Sequence, residues 1–357
     1  MRLSVPVPDG VYLVKATVGG ETAGLTTLRA ESRRLFFEQV PTAAGQTRTL
    51  TFCVHKRDIR LTDSLSVRLK PREKNKLNWN ETLDLEICGP APRLKRLEII
   101  SRPQTPVVFL CGNSTVVDQD NEPWASWGQI IPSFFTDQVC FANFAESGEA
   151  ANSFISARRL KKIEQMIKPG DYLFVEFGHN DQKQRGAGRG AYSSFWSSMK
   201  EYIVMANEHG ATAVLLTPTQ RRSFGPDGRI EDTHLDFPQA TRDLARETGT
   251  ALIDLHAMTR TLYEALGVEG SKQAFVHYPA GSWPGQLTDL ADNTHFNPYG
   301  ATQVAKCVVQ GIRQAGLSLA GFLRDDLPSY DPAHPDDPAH FIWSPSDYIE
   351  TEKPDGN

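Results

Sequence analysis

Three side chains in this sequence have the types and spacing that acyl transfer to a serine requires. Ser114 stands three residues after a short apolar run, Val107–Cys111, and a later segment places Asp292 and His295 three residues apart. A serine hydroxyl is a weak nucleophile unless an oriented histidine accepts its proton. We predict that Asp292 and His295 share one side of a helical turn, so that the carboxylate orients the imidazole and the imidazole activates Ser114.

The same chemistry needs hydrogen-bond donors for the charge that develops on the carbonyl oxygen. The backbone N–H of Ser114 is one such donor. Gly148, after a second apolar run, can present its N–H without a Cβ. Asn180, in the segment 178–181 after a third run, adds a side-chain amide. Because the carboxyl ends of parallel strands meet at one edge of a sheet, we predict that these groups converge there.

Other kinds of site fit the residues less well. The α/β-hydrolase elbow requires G-x-S-x-G, and Val116 stands where the second glycine belongs. The sequence contains neither the GxxxxGK[ST] phosphate loop nor an HExxH or clustered His/Cys pattern, so we expect no cofactor and no metal. The residues 113–115 form a glycosylation sequon, which we discount because the end of a strand leaves little room for a glycan.

The pattern of apolar residues predicts two domains and a tail. Residues 1–100 contain at least six short alternating runs between turn residues, which predicts a β-sandwich. Residues 107–323 alternate five apolar runs with helical segments, which predicts a parallel sheet covered by helices on both faces. A two-proline linker, 101–106, separates the two domains. The Pro- and Asp-rich residues 324–357 predict an extended tail, held to the body by Phe341, Ile342 and Trp343.

The boundaries expected for individual elements follow from the same runs. In the first domain the predicted strands are Val11–Lys15, Thr26–Ala30, Arg34–Val40, Thr49–Val54, Ser64–Leu69, Leu83–Ile87 and Arg96–Ile100. In the second they are Val107–Cys111, Val139–Phe144, Tyr172–Phe177, Ala213–Leu216 and Ala251–Leu255. The predicted helices are Asn152–Lys168, Tyr192–Glu208, Pro238–Glu247 and Pro298–Ala315.

Composition excludes some functions. The net charge is −5 with no long basic run, which argues against nucleic-acid binding as the main role. The sequence contains no stretch of about 18 apolar residues, so we expect no membrane span. The first residues lack the apolar core of a signal peptide. Most of the five cysteines lie in apolar runs and are expected to be buried thiols, although a Cys53–Cys88 disulfide remains open.

Taken together, the site fragments resemble the SGNH (GDSL-type) hydrolases. The residues that surround each fragment are similar to those of the rhamnogalacturonan acetylesterases. The segments that carry the resemblance, over about residues 107–318, are FLCGNSTV, NFAESGEAANSF, EFGHNDQK, TPTQRRSF and DNTHFNPYGA. The segment LRAESRRLFFEQV also looks like the β-rich N-terminal domain of some bacterial members. The resemblance implies an α/β fold of three layers, α/β/α, around a flavodoxin-like parallel sheet. It implies a catalytic triad of Ser114, Asp292 and His295, and an oxyanion hole formed by Ser114, Gly148 and Asn180.

The resemblance also implies an activity and a substrate. The expected reaction is removal of O-acetyl groups from pectic polysaccharide or its oligosaccharides, by a bacterial enzyme of the periplasm or the exterior. Galacturonate carboxylates suit arginine forks, and sugar faces suit aromatic rings. The residues that we assign to substrate binding are His179, Arg221, Arg222 and Trp283. The oligomeric state and the sugar position that carries the acetyl group stay open.

Two residues depart from the family pattern and keep other functions open. Asn113 stands where the family usually has aspartate, and Glu149 stands where it often has arginine. The alternatives are an SGNH esterase for another ester, such as a methyl ester, another acetylated glycan or a lipid, and a glycan-binding protein whose catalytic domain has decayed. The N-terminal domain could itself contact glycan or could serve only as a scaffold for the site.

Overall fold

The computed structural model describes residues 1–355, and its sixteen strands include every site-bearing strand that the sequence predicts. The strands of the first hundred residues are β1 Arg2–Pro6, β2 Gly10–Gly19, β3 Gly24–Ala30, β4 Arg34–Thr42, β5 Thr47–Lys56, β6 Arg60–Thr62, β7 Leu65–Ser66, β8 Thr82–Ala91 and β9 Leu94–Ser101. The later strands are β10 Val107–Cys111, β11 Cys140–Asn143, β12 Tyr172–Glu176, β13 Thr212–Leu216, β14 Ala251–Ile253, β15 Phe275–Tyr278 and β16 Leu290–Phe296. The helices are α1 Trp127–Ile130, α2 Ala151–Ser156, α3 Arg159–Glu164, α4 Trp196–Glu208, α5 Phe237–Thr248, α6 Leu255–Gly270 and α7 Pro298–Gln314.

The strands that carry the candidate site lie in one parallel sheet. Its order is β11-β10-β12-β13-β14, and every neighbouring pair is parallel. Numbered along the chain this is the 2-1-3-4-5 order of flavodoxin-like folds, which confirms the predicted class. In such sheets ligands bind beyond the carboxyl ends of the strands near β10, where the order reverses, and Ser114 follows β10.

Helices cover both faces of this sheet, as the apolar runs predict. Side chains alternate along β10, so that Val108 and Leu110 face one core and Phe109 and Cys111 face the other. Helices α1, α6 and α7 pack on the first face, and α2 to α5 pack on the second. The two-sided burial explains why β10 is a continuous apolar run rather than an alternating one.

The N-terminal strands form a sandwich that continues the catalytic sheet. Strands β5, β2 and β9 extend the parallel sheet beyond β11, with Phe141 of β11 paired to Val54 of β5. A second sheet of order β1-β8-β3-β4 packs on this extension and encloses an apolar core with it. Three strands of the first hundred residues therefore share one eight-stranded sheet with the site strands, so the two domains are joined by more than the linker.

Two predicted elements are wrong in extent. Only β7 is strand within 64–69, because the chain leaves the sheet there and Arg68 N–H bonds to the carbonyl of Ala157. The helix predicted over 152–168 is interrupted at Arg158, whose φ of 65° ends α2 before α3 begins. The interruption lets Arg158 donate to the carbonyl of Ser66 and Arg159 pair with Glu73, so that contacts with the first domain decide the break.

The tail is extended and returns along the N-terminal sandwich. Within 324–355 its regular structure is one short 3-10 turn, Pro338–His340. Trp343 donates its indole N–H to Glu122, and Phe341 packs on Tyr299 with ring centroids 5.6 Å apart. Ile342 is 60% exposed, so the prediction that it helps to hold the tail is wrong.

Two expectations from composition can be compared with the described residues. All five cysteines are free thiols, so the Cys53–Cys88 disulfide is not formed. None of the helices within residues 1–355 combines the length and apolar character needed to cross a bilayer.

Candidate active site

Ser114, His295 and Asp292 form a continuous hydrogen-bonded chain. Nε2 of His295 lies 2.9 Å from Oγ of Ser114, and Nδ1 of the same ring lies 2.7 Å from Oδ2 of Asp292. All three residues are buried. Since a carboxylate can only accept, Nδ1 carries a proton, and Nε2 is left to accept the proton of the serine hydroxyl. The arrangement can therefore activate Ser114 as a nucleophile.

The local structure at Asp292 and His295 differs from the predicted helical turn. Both residues lie in β16, which pairs with β15 through Ala291–His277 and Phe296–Phe275. Between these two pairs the chain advances five residues in β16 but only two in β15. The extra residues of β16 therefore bulge out of the ladder. Oδ1 of Asp292 accepts the backbone N–H groups of Thr294 and His295 at 2.8 and 3.0 Å, which closes the bulge. The bulge brings the two side chains to one side, where a regular strand would place them on opposite faces.

Electrostatics keep the Asp292 carboxylate ionised. Burial by itself would raise its pKa, but the hydrogen bond and charge of His295 and the two backbone donors bring the pKa to about 2. Nζ of Lys353, from the tail, lies 3.6 Å from the same Oδ2. Asp292 therefore carries a full charge beside the imidazole at any pH where proteins usually work.

A buried carboxyl group at the end of β12 holds the loop after β10. Oδ1 of Asn113 accepts the N–H and the hydroxyl of Thr115, at 3.1 and 3.0 Å. Glu176, at the end of β12, lies 2.9 Å from the Thr115 hydroxyl and accepts the indole N–H of Trp127 at 2.6 Å. Burial raises the pKa of Glu176 to about 7 although these hydrogen bonds lower it. A protonated Glu176 can donate to Thr115, which leaves the single Thr115 hydroxyl proton for Asn113.

We expect Glu176→Gln to change how stability depends on pH. The pKa of a glutamate in an unfolded chain is about 4.3, so between about pH 4 and pH 7 the native state holds the extra proton. The free energy of unfolding therefore falls as pH rises through that window, by up to about 4 kcal/mol. The amide of the variant would keep the hydrogen bonds but cannot ionise. The stability of the variant relative to the parent protein should therefore increase from about pH 4 to about pH 8, as measured by urea unfolding. Glu208→Gln, at an exposed glutamate, serves as the control, and parallel pH curves for the parent and Glu176→Gln would contradict the assignment.

The predicted oxyanion donors lie in the loops after β11 and β12. Gly148 has a φ of 77°, a conformation that favours glycine, and a Cβ there would lie 3.0 Å from Nζ of Lys70. The amide of Asn180 donates from Nδ2 to the carbonyl of Glu149 at 3.0 Å, and Lys183 donates to its Oδ1 at 3.3 Å. These bonds fix the orientation of the amide, whose second N–H is available for a ligand. Both residues thus lie in loops at the carboxyl edge of the sheet, at the ends of strands next to β10.

Cations from the N-terminal domain hold the loop that carries Gly148. Lys70 donates to the carbonyl of Ser147 at 2.6 Å and pairs with Glu149 at 3.3 Å. Arg72 and Lys76 both contact Glu146, at 2.5 and 3.1 Å. Burial alone would raise the pKa of Glu146, but these cations lower it to about 2. Glu149 is therefore part of this ionic support.

A second contact joins the N-terminal domain to the nucleophile loop. Arg34, in β4, donates from Nε and Nη2 to Oδ2 of Asp118 at 3.0 and 2.8 Å, and from Nη1 to the carbonyl of Phe141. Both charged side chains are fully buried. The other carboxylate oxygen of Asp118 accepts the amide of Asn143, at the end of β11. Asp118 thus ties the loop that begins at Ser114 to both domains.

Two of the residues assigned to substrate binding, His179 and Arg222, are held by contacts within the protein. His179 is buried, with its ring nitrogens 3.0 Å from His234 and 3.2 Å from Thr219, and burial holds its pKa well below the ordinary value. Arg222 donates to Ser271, to Asn293 at the bulge, and to the carbonyl of Val268, which engages the whole guanidinium. For these two residues the contacts are structural, and a role in binding substrate stays a prediction.

Arg221 and Trp283 also make contacts within the protein, and their role in binding substrate stays a prediction. The Arg221 guanidinium donates to the carbonyl of His179, beside Asn180, and burial lowers its pKa. Trp283, in the loop between β15 and β16, packs edge-on against Tyr278. Trp124 lies edge-on to the His295 ring with centroids 5.8 Å apart, whereas Trp127 is a core residue.

A cavity of about 490 Å³ adjoins the triad through Trp124, which packs on His295, and Lys353, which pairs with Asp292, although no triad residue lines it. Ser147 and Trp124 line it, and the tail residues from Glu350 to Asp355 close one side. The lining contains four cationic residues, Lys70, Arg72, Lys76 and Lys353, and four acidic ones, Asp120, Glu350, Glu352 and Asp355. Sequence reasoning missed this use of the tail and of the N-terminal lysines, because contacts between distant segments leave no local pattern.

The fold and site define the class of protein. Residues 110–303 match the GDSL-like Lipase/Acylhydrolase family, which is more than half of the chain, so the chain belongs to this family. It is 43% identical to the rhamnogalacturonan acetylesterase RhgT of Bacillus subtilis over 60% of this chain and 93% of the relative. The probable rhamnogalacturonan acetylesterase YesY of the same species is 30% identical over 59% of this chain and 94% of the relative.

One solved structure bears on the whole architecture. The crystal structure of Bacillus subtilis YxiM matches with a TM-score of 0.52 and 23% identity, over 89% of this chain and 80% of that one. The matched share exceeds what residues 107–357 alone would provide. The likeness therefore extends into the N-terminal strands as a likeness of fold.

Proposed function

We propose that the protein hydrolyses O-acetyl esters of pectic polysaccharide of the rhamnogalacturonan type. The observation that carries the proposal is the chain from Ser114 through His295 to Asp292, with Nε2 and Oγ 2.9 Å apart. The two relatives whose names include rhamnogalacturonan acetylesterase support the choice of ester. A substrate that is a large polymer also supports a location in the periplasm or outside a bacterial cell.

The proposed mechanism uses residues at the edge of the sheet. Oγ of Ser114 attacks the acetyl carbonyl carbon while Nε2 of His295 takes the hydroxyl proton. The oxyanion accepts hydrogen bonds from the N–H groups of Ser114 and Gly148 and from the Asn180 amide. His295 then returns the proton to the departing sugar oxygen, which leaves an acetyl-serine. Water, deprotonated by the same imidazole, releases acetate and restores the serine.

One exposed cation beside the triad supports an anionic substrate, while Asp120, Glu350, Glu352 and Asp355 balance the cations of the cavity lining. Lys70, Arg72 and Lys76 are partly neutralised by Glu146 and Glu149, but Lys353 stands 48% exposed next to the triad. A galacturonate carboxylate close to the scissile acetyl group would complement this cation. The lining is polar and charged, which does not suit a long acyl chain.

An acetate-release screen tests the proposal. Acetylated rhamnogalacturonan should be deacetylated faster than acetylated xylan, because xylan lacks the galacturonate carboxylates. Methyl-esterified homogalacturonan and p-nitrophenyl esters of long acids should be poor substrates. The preference for rhamnogalacturonan should shrink as salt is added, because screening weakens the charge contacts. Faster release from xylan or from long-chain esters would contradict the assignment of substrate.

A further inference from the structure

A cluster of buried histidines lies beside the active site, in the loop between β13 and α5 and at the start of α6. Nδ1 of His256 is 3.0 Å from the carbonyl oxygen of Pro218. Because a carbonyl only accepts, the proton of a neutral His256 lies on Nδ1. Its Nε2 then presents a lone pair, 3.0 Å from Oδ2 of Asp232. A lone pair that faces a carboxylate at this distance is repulsive unless a cation lies between them.

His234 presents a second lone pair to the same carboxylate. Its Nε2 lies 3.0 Å from Nδ1 of His179, whose other nitrogen is 3.2 Å from the Thr219 hydroxyl. Nδ1 of His234 is buried without a hydrogen-bond partner and lies 4.0 Å from Oδ1 of Asp232. A proton on Nδ1 would leave a buried N–H unsatisfied, so the proton belongs on Nε2, where it bonds to His179.

We propose that Asp232, His234 and His256 bind a divalent transition-metal ion such as Zn²⁺. One ligand atom from each residue lies within 4.8 Å of the other two. In a tetrahedral zinc site with bonds of about 2.0–2.1 Å, neighbouring ligand atoms are about 3.3 Å apart, so closure needs movements of about 1 Å. Two neutral imidazoles and a carboxylate favour zinc and its neighbours over Mg²⁺ or Ca²⁺.

The surroundings of the cluster supply what such a site needs. Pro218 and His179 accept the remaining imidazole N–H groups and thereby orient both ligands. Asp232 is 40% exposed, which gives an ion access from solvent. Nε2 of Gln220 lies 2.7 Å from Nε2 of His256, while its Oε1 is buried without a partner. A flip of this amide would turn its oxygen toward the ion as a fourth ligand.

An ion there would hold the loop next to the oxyanion residue. Thr233 accepts a hydrogen bond from Arg221 at 3.0 Å, and the same guanidinium donates to the carbonyl of His179, the neighbour of Asn180. The ligands are separate from the triad, and no step of ester hydrolysis passes through the ion. The proposed role is to fix the position of the Arg221 loop.

Metal titration of protein without an affinity tag tests the proposal. We expect calorimetry to show one tightly bound Zn²⁺ per chain, Co²⁺ to give the visible absorption of a tetrahedral site, and Mg²⁺ to give neither. Since loss of an outer partner alone costs about 10–100-fold, Asp232→Asn or His256→Gln should weaken Zn²⁺ binding by about 100-fold or more. Asp232→Asn keeps an acceptor for the backbone N–H of His234, so it tests the site even if His256→Gln misfolds.

A surface pair provides the matched control. Nδ1 of His334 lies 2.8 Å from Asp331, and both are exposed, so His334→Gln should leave Zn²⁺ binding and the Co²⁺ spectrum unchanged. Absence of stoichiometric binding, or equal binding by the parent and Asp232→Asn, would overturn the proposal. In that outcome His256 and Asp232 would instead be joined by a direct hydrogen bond.

Discussion

Replacement of Ser114 by alanine is expected to lower kcat for acetate release by about 10⁴- to 10⁶-fold, because no other group takes over the attack. The Ser114 hydroxyl is 2.9 Å from Nε2 of His295, and the residue is 3% exposed. Removing one small oxygen leaves the surrounding packing in place, so thermal unfolding should change little. Acetylated rhamnogalacturonan serves as substrate, and the melting temperature is followed by circular dichroism.

The control for this variant is Ser156→Ala, at an exposed serine at the end of α2. It should keep the activity of the parent protein. A serine-reactive phosphonate should label the parent and Ser156→Ala but not Ser114→Ala. Activity of Ser114→Ala within about tenfold of the parent would exclude Ser114 as the nucleophile. Absence of labelling in the parent would instead favour the decayed, glycan-binding alternative.

Loss of the buried ion pair between the two domains is expected to cost about 3–5 kcal/mol of stability. In Arg34→Met the Asp118 carboxylate stays buried, with the Asn143 amide but without its cation. Asp118 lies in the same loop as Ser114, and a displacement of about 1 Å in a catalytic group can cost about 100-fold in rate. Urea unfolding and acetate release should therefore both show a loss.

Two further variants separate the effect of charge from that of lost packing. Arg48→Met removes an exposed arginine of β5 and should change neither measurement. Adding Asp118→Leu to Arg34→Met removes the unpaired charge and should restore much of the stability, since apolar replacement of a buried pair is often neutral. A double variant as unstable as Arg34→Met would show that the buried charge is not the cause. Stable, fully active Arg34→Met would show that the N-terminal domain does not support the site through this contact.

The local patterns of the sequence predict the catalytic half of the protein well. The five parallel strands are buried on both faces and are therefore continuous apolar runs, and their carboxyl ends share one edge for reasons of geometry. This is why Ser114, Gly148 and Asn180 could be placed near one another before any contact was known. The helix α7 could be bounded within one residue because Pro298 favours its first turn.

Errors arose where distant contacts decide the local conformation. Asp292 and His295 face each other because β16 bulges against β15, which residue spacing alone cannot distinguish from a helical turn. Arg158 interrupts a helix because two arginines reach residues far earlier in the chain. The metal site proposed at Asp232, His234 and His256 combines loop and helix residues without a recognised ligand spacing, so no local pattern could indicate it, and the expectation of no metal stays a prediction.

The sequence by itself therefore determined the class of fold and the proposed nucleophile, because each depends on residues within or directly after one strand. Only the tertiary structure decided how the site is supported. Arg34 reaches Asp118, Lys70 reaches the Gly148 loop, and Lys353 of the tail reaches Asp292. Such pairs join segments far apart in the chain, and a charged residue carries the same local signal whether it ends in solvent or in a buried ion pair.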